Sequence, residues 1–174
     1  MQQLRKRGHS GVPSFVSGYG RFERKDTRVV STKLEELDCF LVDIRHNPSN
    51  GKFEIYMDTD AGVTISACEQ VSRYLNFYME NDPAFGDNYM LNVSSPGMEN
   101  PFKVERQYLK NIGKTVELVL HSGVKKEGIL KQYDGEKLTL QIALPVKVKG
   151  KKPELVEEEF TLEEIKSTKK KISF

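Results

Sequence analysis

The chain has 174 residues, a formal charge of +2, 37% apolar residues and 30% charged residues. That length suits one or two domains, and no apolar run approaches the roughly 18 residues a membrane-spanning helix needs. Cys39 and Cys68 stand alone without C-x-x-C spacing, which points to reduced thiols in a cytoplasmic protein rather than a disulfide framework or a zinc site.

The distribution of charge is more informative than its total. Residues 1–32 carry seven Lys/Arg against two acids, a net +5. Residues 33–100 carry four basic groups against twelve acids, a net −8, and residues 101–174 carry sixteen against eleven, a net +5. Basic ends can meet phosphate, whereas an acidic middle is repelled by it and suits a basic protein.

Residues 1–32 mix Arg, Gly and Ser without helical or strand periodicity, and they lack the apolar stretch of a signal peptide. They are expected to be a basic, disordered extension; an RNA-contacting tail that orders on binding is the competing reading. Only Lys33–Leu37 looks like the end of a first helix. An acidic domain over 33–97 follows. Phe40, Val42 and Ile44 alternate as a strand, Asn47–Gly51 is dense in turn formers, and Phe53, Ile55 and Met57 alternate as the second arm of a hairpin. Ser66 with Glu69 has the spacing of a capping box, opening a helix over 67–79 whose apolar stripe includes Cys68, Val71, Tyr74, Leu75, Tyr78 and Met79. Tyr74 and Tyr78 are therefore taken as core, not as a stacking platform for bases. Tyr89, Leu91 and Val93 complete a three-stranded sheet with helices on one face.

The run Val93–Phe102 is the joint of the chain. Pro96 and Pro101 fix their own φ and bias Ser95 and Asn100 toward extended backbone. Gly97 supplies a residue able to take φ > 0, and Ser94 and Ser95 can bond the loose backbone groups of a bend. A linker over 98–103 that holds two domains at a preferred angle is expected, with Ser94, Ser95, Pro96, Gly97, Pro101 and Phe102 as its working residues.

A basic domain over 104–174 comes next. A turn or two of helix over 104–110 closes at Asn111-Ile112-Gly113. Short alternating strands separated by Ser122-Gly123 and Asp134-Gly135 turns then point to a small β-barrel, with Gly128 permitting a strong bend. Pro145–Pro153 has the pattern of a protruding hairpin arm, and Lys147, Lys149, Lys151 and Lys152 are candidate RNA contacts, although edge lysines also deter sheet aggregation. Ile172 and Phe174 are expected to bury themselves in closing the barrel. Asp43, Glu54, Asp58 and Asp60 lack the spacing of a calcium loop and become candidates for docking a protein.

No catalytic set is apparent. His9, His46 and His121 have no partnered acid at recognisable spacing, Ser94 and Ser95 precede a proline rather than forming a nucleophile elbow, and Gly18-Tyr19-Gly20 is too short for a nucleotide fingerprint. A non-catalytic binding protein without metal, cofactor or small-molecule substrate is expected.

Tyr89–Phe102, with its V-S-S-P-G core and x-P-F ending, resembles the signature of the bacterial ribosome maturation factor RimP family. The resemblance extends from about Lys33 to the end of the chain and includes Asp58–Leu75 and Glu164–Lys169. Many members carry Arg before the second proline where this chain has Asn100. The resemblance implies an α+β chain ending in an SH3-like or Sm-like barrel. It also implies a cytoplasmic, monomeric factor for the immature small (30S) ribosomal subunit, meeting 16S rRNA and a basic ribosomal protein. A stand-alone Sm-like protein acting on small RNAs is the alternative.

Overall fold

The computed structural model describes residues 24–146 and 150–172, and the chain divides into two units, the first ending at Ser95 and the second starting at Pro96. The first unit contains α1 (Arg24–Glu35), β1 (Phe40–Asn47), β2 (Lys52–Asp58), α2 (Ile65–Glu80), a short 3-10 turn (Pro83–Phe85) and β3 (Met90–Ser94). Its sheet has the order β1-β2-β3. β1 and β2 form the expected antiparallel hairpin, whereas β3 lies parallel to β2. α2 is the crossover that a parallel neighbour requires.

The hairpin turn is built by side chains. Asn47 Oδ1 accepts from Ser49 N at 3.0 Å and Asn50 Oδ1 from Lys52 N at 3.1 Å. Gly51 closes it at φ +64°, and a Cβ there would lie 2.8 Å from the Asn88 carbonyl oxygen, so both conformation and space demand glycine.

One core joins Val30 and Leu34 of α1, Val71, Leu75 and Met79 of α2, and Phe53, Ile55 and Met57 of β2. The alternation expected of β1 is corrected by a bulge. Leu41 pairs with Met57 but Asp43 with Tyr56, leaving Val42 as the extra residue. A bulge inverts the in/out pattern on one side of itself. Leu41 and Ile44 therefore enter the core cluster, and Phe40 does not.

Two further expectations change here. The disordered extension to residue 32 does not hold from Arg24 onward, because α1 is already formed there. Its inward face is carried partly by Asp26 and Thr27, both buried, so no apolar periodicity announced it. Asp26 is placed inside by the Tyr78 hydroxyl, which donates to its carboxylate at 2.6 Å. α2 starts earlier than expected, with Thr64 as its N-cap: Thr64 Oγ1 accepts from Ala67 N at 3.1 Å, and Ser66 lies inside the helix. Tyr78 packs on the core, but Tyr74 is 38% exposed at the rim, with Lys33 Nζ 5.2 Å from its ring centroid.

The second unit contains α3 (Glu105–Lys110), β4 (Thr115–Leu120), β5 (Lys125–Tyr133), β6 (Lys137–Ala143), β7 (Leu155–Thr161) and β8 (Ile165–Lys170). These strands form an antiparallel five-stranded sheet in the order β7-β6-β5-β4-β8, with β7 and β8 as its end strands. Its core is Val116, Leu118, Leu130, Leu138, Leu140, Phe160 and Ile165. Both expected turns are present between strands. Asp134 Oδ1 accepts from Glu136 N and Lys137 N, and those backbone donors hold its carboxyl below the usual range. Gly128 lies close against β6; a Cβ there would be 2.5 Å from the Gln141 carbonyl oxygen. Ile172 is 44% exposed rather than buried, and Phe174 lies outside the described residues.

Candidate functional site

The β6–β7 hairpin presents the lysine-rich arm. Its strands pair from Lys137↔Thr161 to Ala143↔Leu155, and the Leu144 N to Glu154 O bond of 2.8 Å continues the ladder beyond them. What remains is a loop with Gly150 at φ +95° and with Lys151 and Lys152 exposed on it. Lys147 and Lys149 lie outside the described residues. β7 itself is rich in carboxylates, and two of its three, Glu158 and Glu159, meet lysines of β5 and β6. Lys126 Nζ lies 3.0 Å from Glu158, and Lys137 Nζ lies 3.1 Å from Glu159. Neither Lys151 nor Lys152 makes an ion pair among the described residues. Lys171, after β8, does have partners: it pairs with Glu127 and Glu117, and the Glu127 hydrogen bond raises its pKa.

The four acidic candidates do not form one exposed patch. Asp43 is 3% exposed, and its Oδ2 accepts from Arg45 Nε at 2.9 Å. Arg45 in turn lies over the Tyr56 ring, 4.8 Å from its centroid. Glu54 pairs with Lys52 at 2.8 Å. Asp58 is half-buried and accepts from Thr59 N at 2.8 Å, and Asp60 is exposed. Asp43 is thus corrected from docking candidate to internal partner of Arg45, placed inward by the bulge beside it. The acidic character of this unit's surface comes instead from exposed groups such as Glu35, Asp38, Glu80 and Asp87.

The joint is a closed turn. Ser94 ends β3 opposite Tyr56. Gly97 takes φ +73°, and the Asn100 side-chain amide donates to the Pro96 carbonyl, tying the turn to itself. Phe102 already belongs to the second unit: its N–H donates to Thr168 O at 2.8 Å, and its ring packs on that unit's core.

Sequence reasoning missed a cleft of about 260 Å³ beside Phe102. The Phe102 ring meets Tyr108 edge-on at 5.1 Å, and Tyr108 stacks on Tyr133 at 4.6 Å and 9°. The Tyr108 hydroxyl bonds to Thr168 Oγ1 at 3.3 Å, and Lys103, Glu105 and Lys166 stand around the opening. Burial, then the Glu105 carboxylate, pushes the Tyr133 phenol up to about 12. Tyr133 lies twenty-five residues beyond Tyr108, on β5, so no local pattern could have joined it to Phe102 and Tyr108. Among the described residues no His, Cys, Asp and Glu cluster is placed to hold a metal ion, and no helix is long and apolar enough to cross a membrane.

Comparison with known proteins matches the first unit. A family model described as the RimP N-terminal domain matches residues 29–99. The ribosome maturation factor RimP of Cytophaga hutchinsonii is 36% identical over 158 residues, an overlap spanning 85% of this chain and 94% of that protein. With a folded α1 leading into the matched sheet, the V-S-S-P-G turn behind it and this near-complete overlap, the chain belongs to the RimP family of ribosome maturation factors.

Proposed function

We propose that the chain binds the immature small (30S) ribosomal subunit, assists its late assembly without catalysing a reaction, and then leaves. The second unit meets 16S rRNA phosphates through Lys147, Lys149, Lys151 and Lys152. The first unit turns its exposed carboxylates toward a basic ribosomal protein, and the joint formed by Ser94, Ser95, Pro96, Gly97, Pro101 and Phe102 links the two grips. The carrying observation is that Lys151 and Lys152 are exposed and make no ion pair among the described residues, while Lys126 and Lys137 pair with Glu158 and Glu159 of β7. Loop charge such as that of Lys151 and Lys152, which has no ion-pair partner among the described residues, is available to displace counterions from RNA. The strand order β7-β6-β5-β4-β8 and the bulges in β5 and β8 support closure of the second unit as an SH3-like or Sm-like barrel. Such a factor works in the cytoplasm as a monomer.

The test is sedimentation of the full chain with free small subunits over a range of salt. Replacing Lys147, Lys149, Lys151 and Lys152 with Ala is expected to weaken binding and flatten the log–log salt slope by about 0.7–0.9 for each phosphate no longer neutralised. An unchanged slope removes the loop from the interface.

A further inference from the structure

The cleft beside Phe102 is distant in chemistry from the lysine loop. Three aromatic rings line it, and at about 260 Å³ it falls just short of the roughly 300–1,000 Å³ of pockets that enclose drug-sized ligands. That space suits one planar ring system. Its charged lining is Lys103 and Lys166 against Glu105, a net positive rim of charge by composition. Such a rim opposes a basic ribosomal protein and favours an anionic ligand. Aromatic rings in a cationic setting are the combination that holds single-stranded nucleic acid, because every base has a π-face and every linkage a charge.

We propose that this cleft takes one unpaired base of single-stranded RNA. The base lies against Phe102 and the Tyr108–Tyr133 pair. Lys103 and Lys166 meet the flanking phosphates, and Glu105 accepts a hydrogen bond from a base amino or ring N–H. A base held in a duplex is already stacked on both faces and cannot enter, so the site discriminates by strandedness. Glu105 as an acceptor favours bases that offer a Watson–Crick donor over the same ring without one. The inference goes beyond subunit binding and is tested without ribosomes, so either can fail alone.

The experiment uses the full chain and short labelled RNA oligonucleotides of each base in turn, with a duplex of equal length, followed by fluorescence anisotropy and by chemical-shift mapping. Single strands are expected to bind more tightly than the duplex and to shift Phe102, Tyr108 and Tyr133. Tyr133→Ala should weaken binding by about 5- to 150-fold, the range of one base stack removed, while Tyr133→Phe keeps the ring and binds as the parent does. Because Tyr133 also packs on the core, Lys166→Ala at an exposed position provides a second reading: the salt slope falls by about 0.7. Equal affinity for duplex and single strand overturns the proposal, as do shifts confined to the loop at Lys151 and Lys152. A basic peptide that perturbs the cleft where RNA does not overturns it too.

Discussion

Gly128→Ala probes the packing that supports the lysine loop. A Cβ on Gly128 would stand 2.5 Å from Gln141 O, 3.1 Å from Gln141 C and 3.2 Å from Ile142 Cγ1. The first two are backbone atoms of β6 and cannot swing aside as a side-chain tip would. Relief requires β5 and β6 to part around the pairs Ile129↔Gln141 and Leu130↔Leu140, which bring Leu130 and Leu140 into the core. Overpacking of this kind costs about 1–3 kcal/mol, and a backbone-on-backbone clash belongs at about 2–3. Replacing a strand glycine returns about 0.5–1 kcal/mol through the unfolded chain. The net loss is about 1–2.5 kcal/mol, or a melting shift of about 4–20 °C for a domain of this size. The cores of the two units are separate clusters, so calorimetry of the full chain should move only the transition of the second unit. Amide exchange at Leu130 and Leu140 should accelerate with it. An unaltered midpoint together with unaltered exchange would show that β5 and β6 do not approach as described.

Two further outcomes test the first unit and the aromatic groups. Thr64→Ala should destabilise α2 by about 1 kcal/mol, whereas Ser66→Ala should cost no more than about 0.5, since Ser66 Oγ only accepts a long 3.4 Å bond from Gln70; denaturant midpoints giving the opposite order would return the cap to Ser66. Tyr78 and Tyr133 are both raised to about 12, the first chiefly by its hydrogen bond to Asp26 and the second chiefly by burial. A raised folded-state value stabilises below the unfolded value of about 10 and is lost as pH climbs through about 12. Tyrosinate absorbance should therefore show Tyr78 and Tyr133 ionising late, alongside Tyr89 and Tyr108, which burial also raises, with stability falling between about pH 10 and 12; ionisation of Tyr78 and Tyr133 at about pH 10 would refute both environments.

Much of this architecture is legible from local pattern. Phe53, Ile55 and Met57 alternate inward, Val71, Leu75 and Met79 recur at helical spacing, and the Asn, Asp and Gly turn residues fall between strands, because each depends only on near neighbours. The V-S-S-P-G turn and its family likewise reside in one contiguous run. Tertiary structure alone decided the rest. Asp26 and Thr27 hide α1 from any apolar count, since what qualifies them for the interior is partly the hydroxyl of Tyr78, fifty-two residues away. The bulge at Val42 turned Asp43 from a surface acid into a buried partner of Arg45. Which lysines gain a carboxylate partner was settled by tertiary structure, because Lys126 and Lys137 meet Glu158 and Glu159 only once β7 is laid beside β6. The stack of Tyr108 on Tyr133 has the same origin. Contacts between distant segments depend on the order in which strands assemble, and no periodicity along the chain encodes that order.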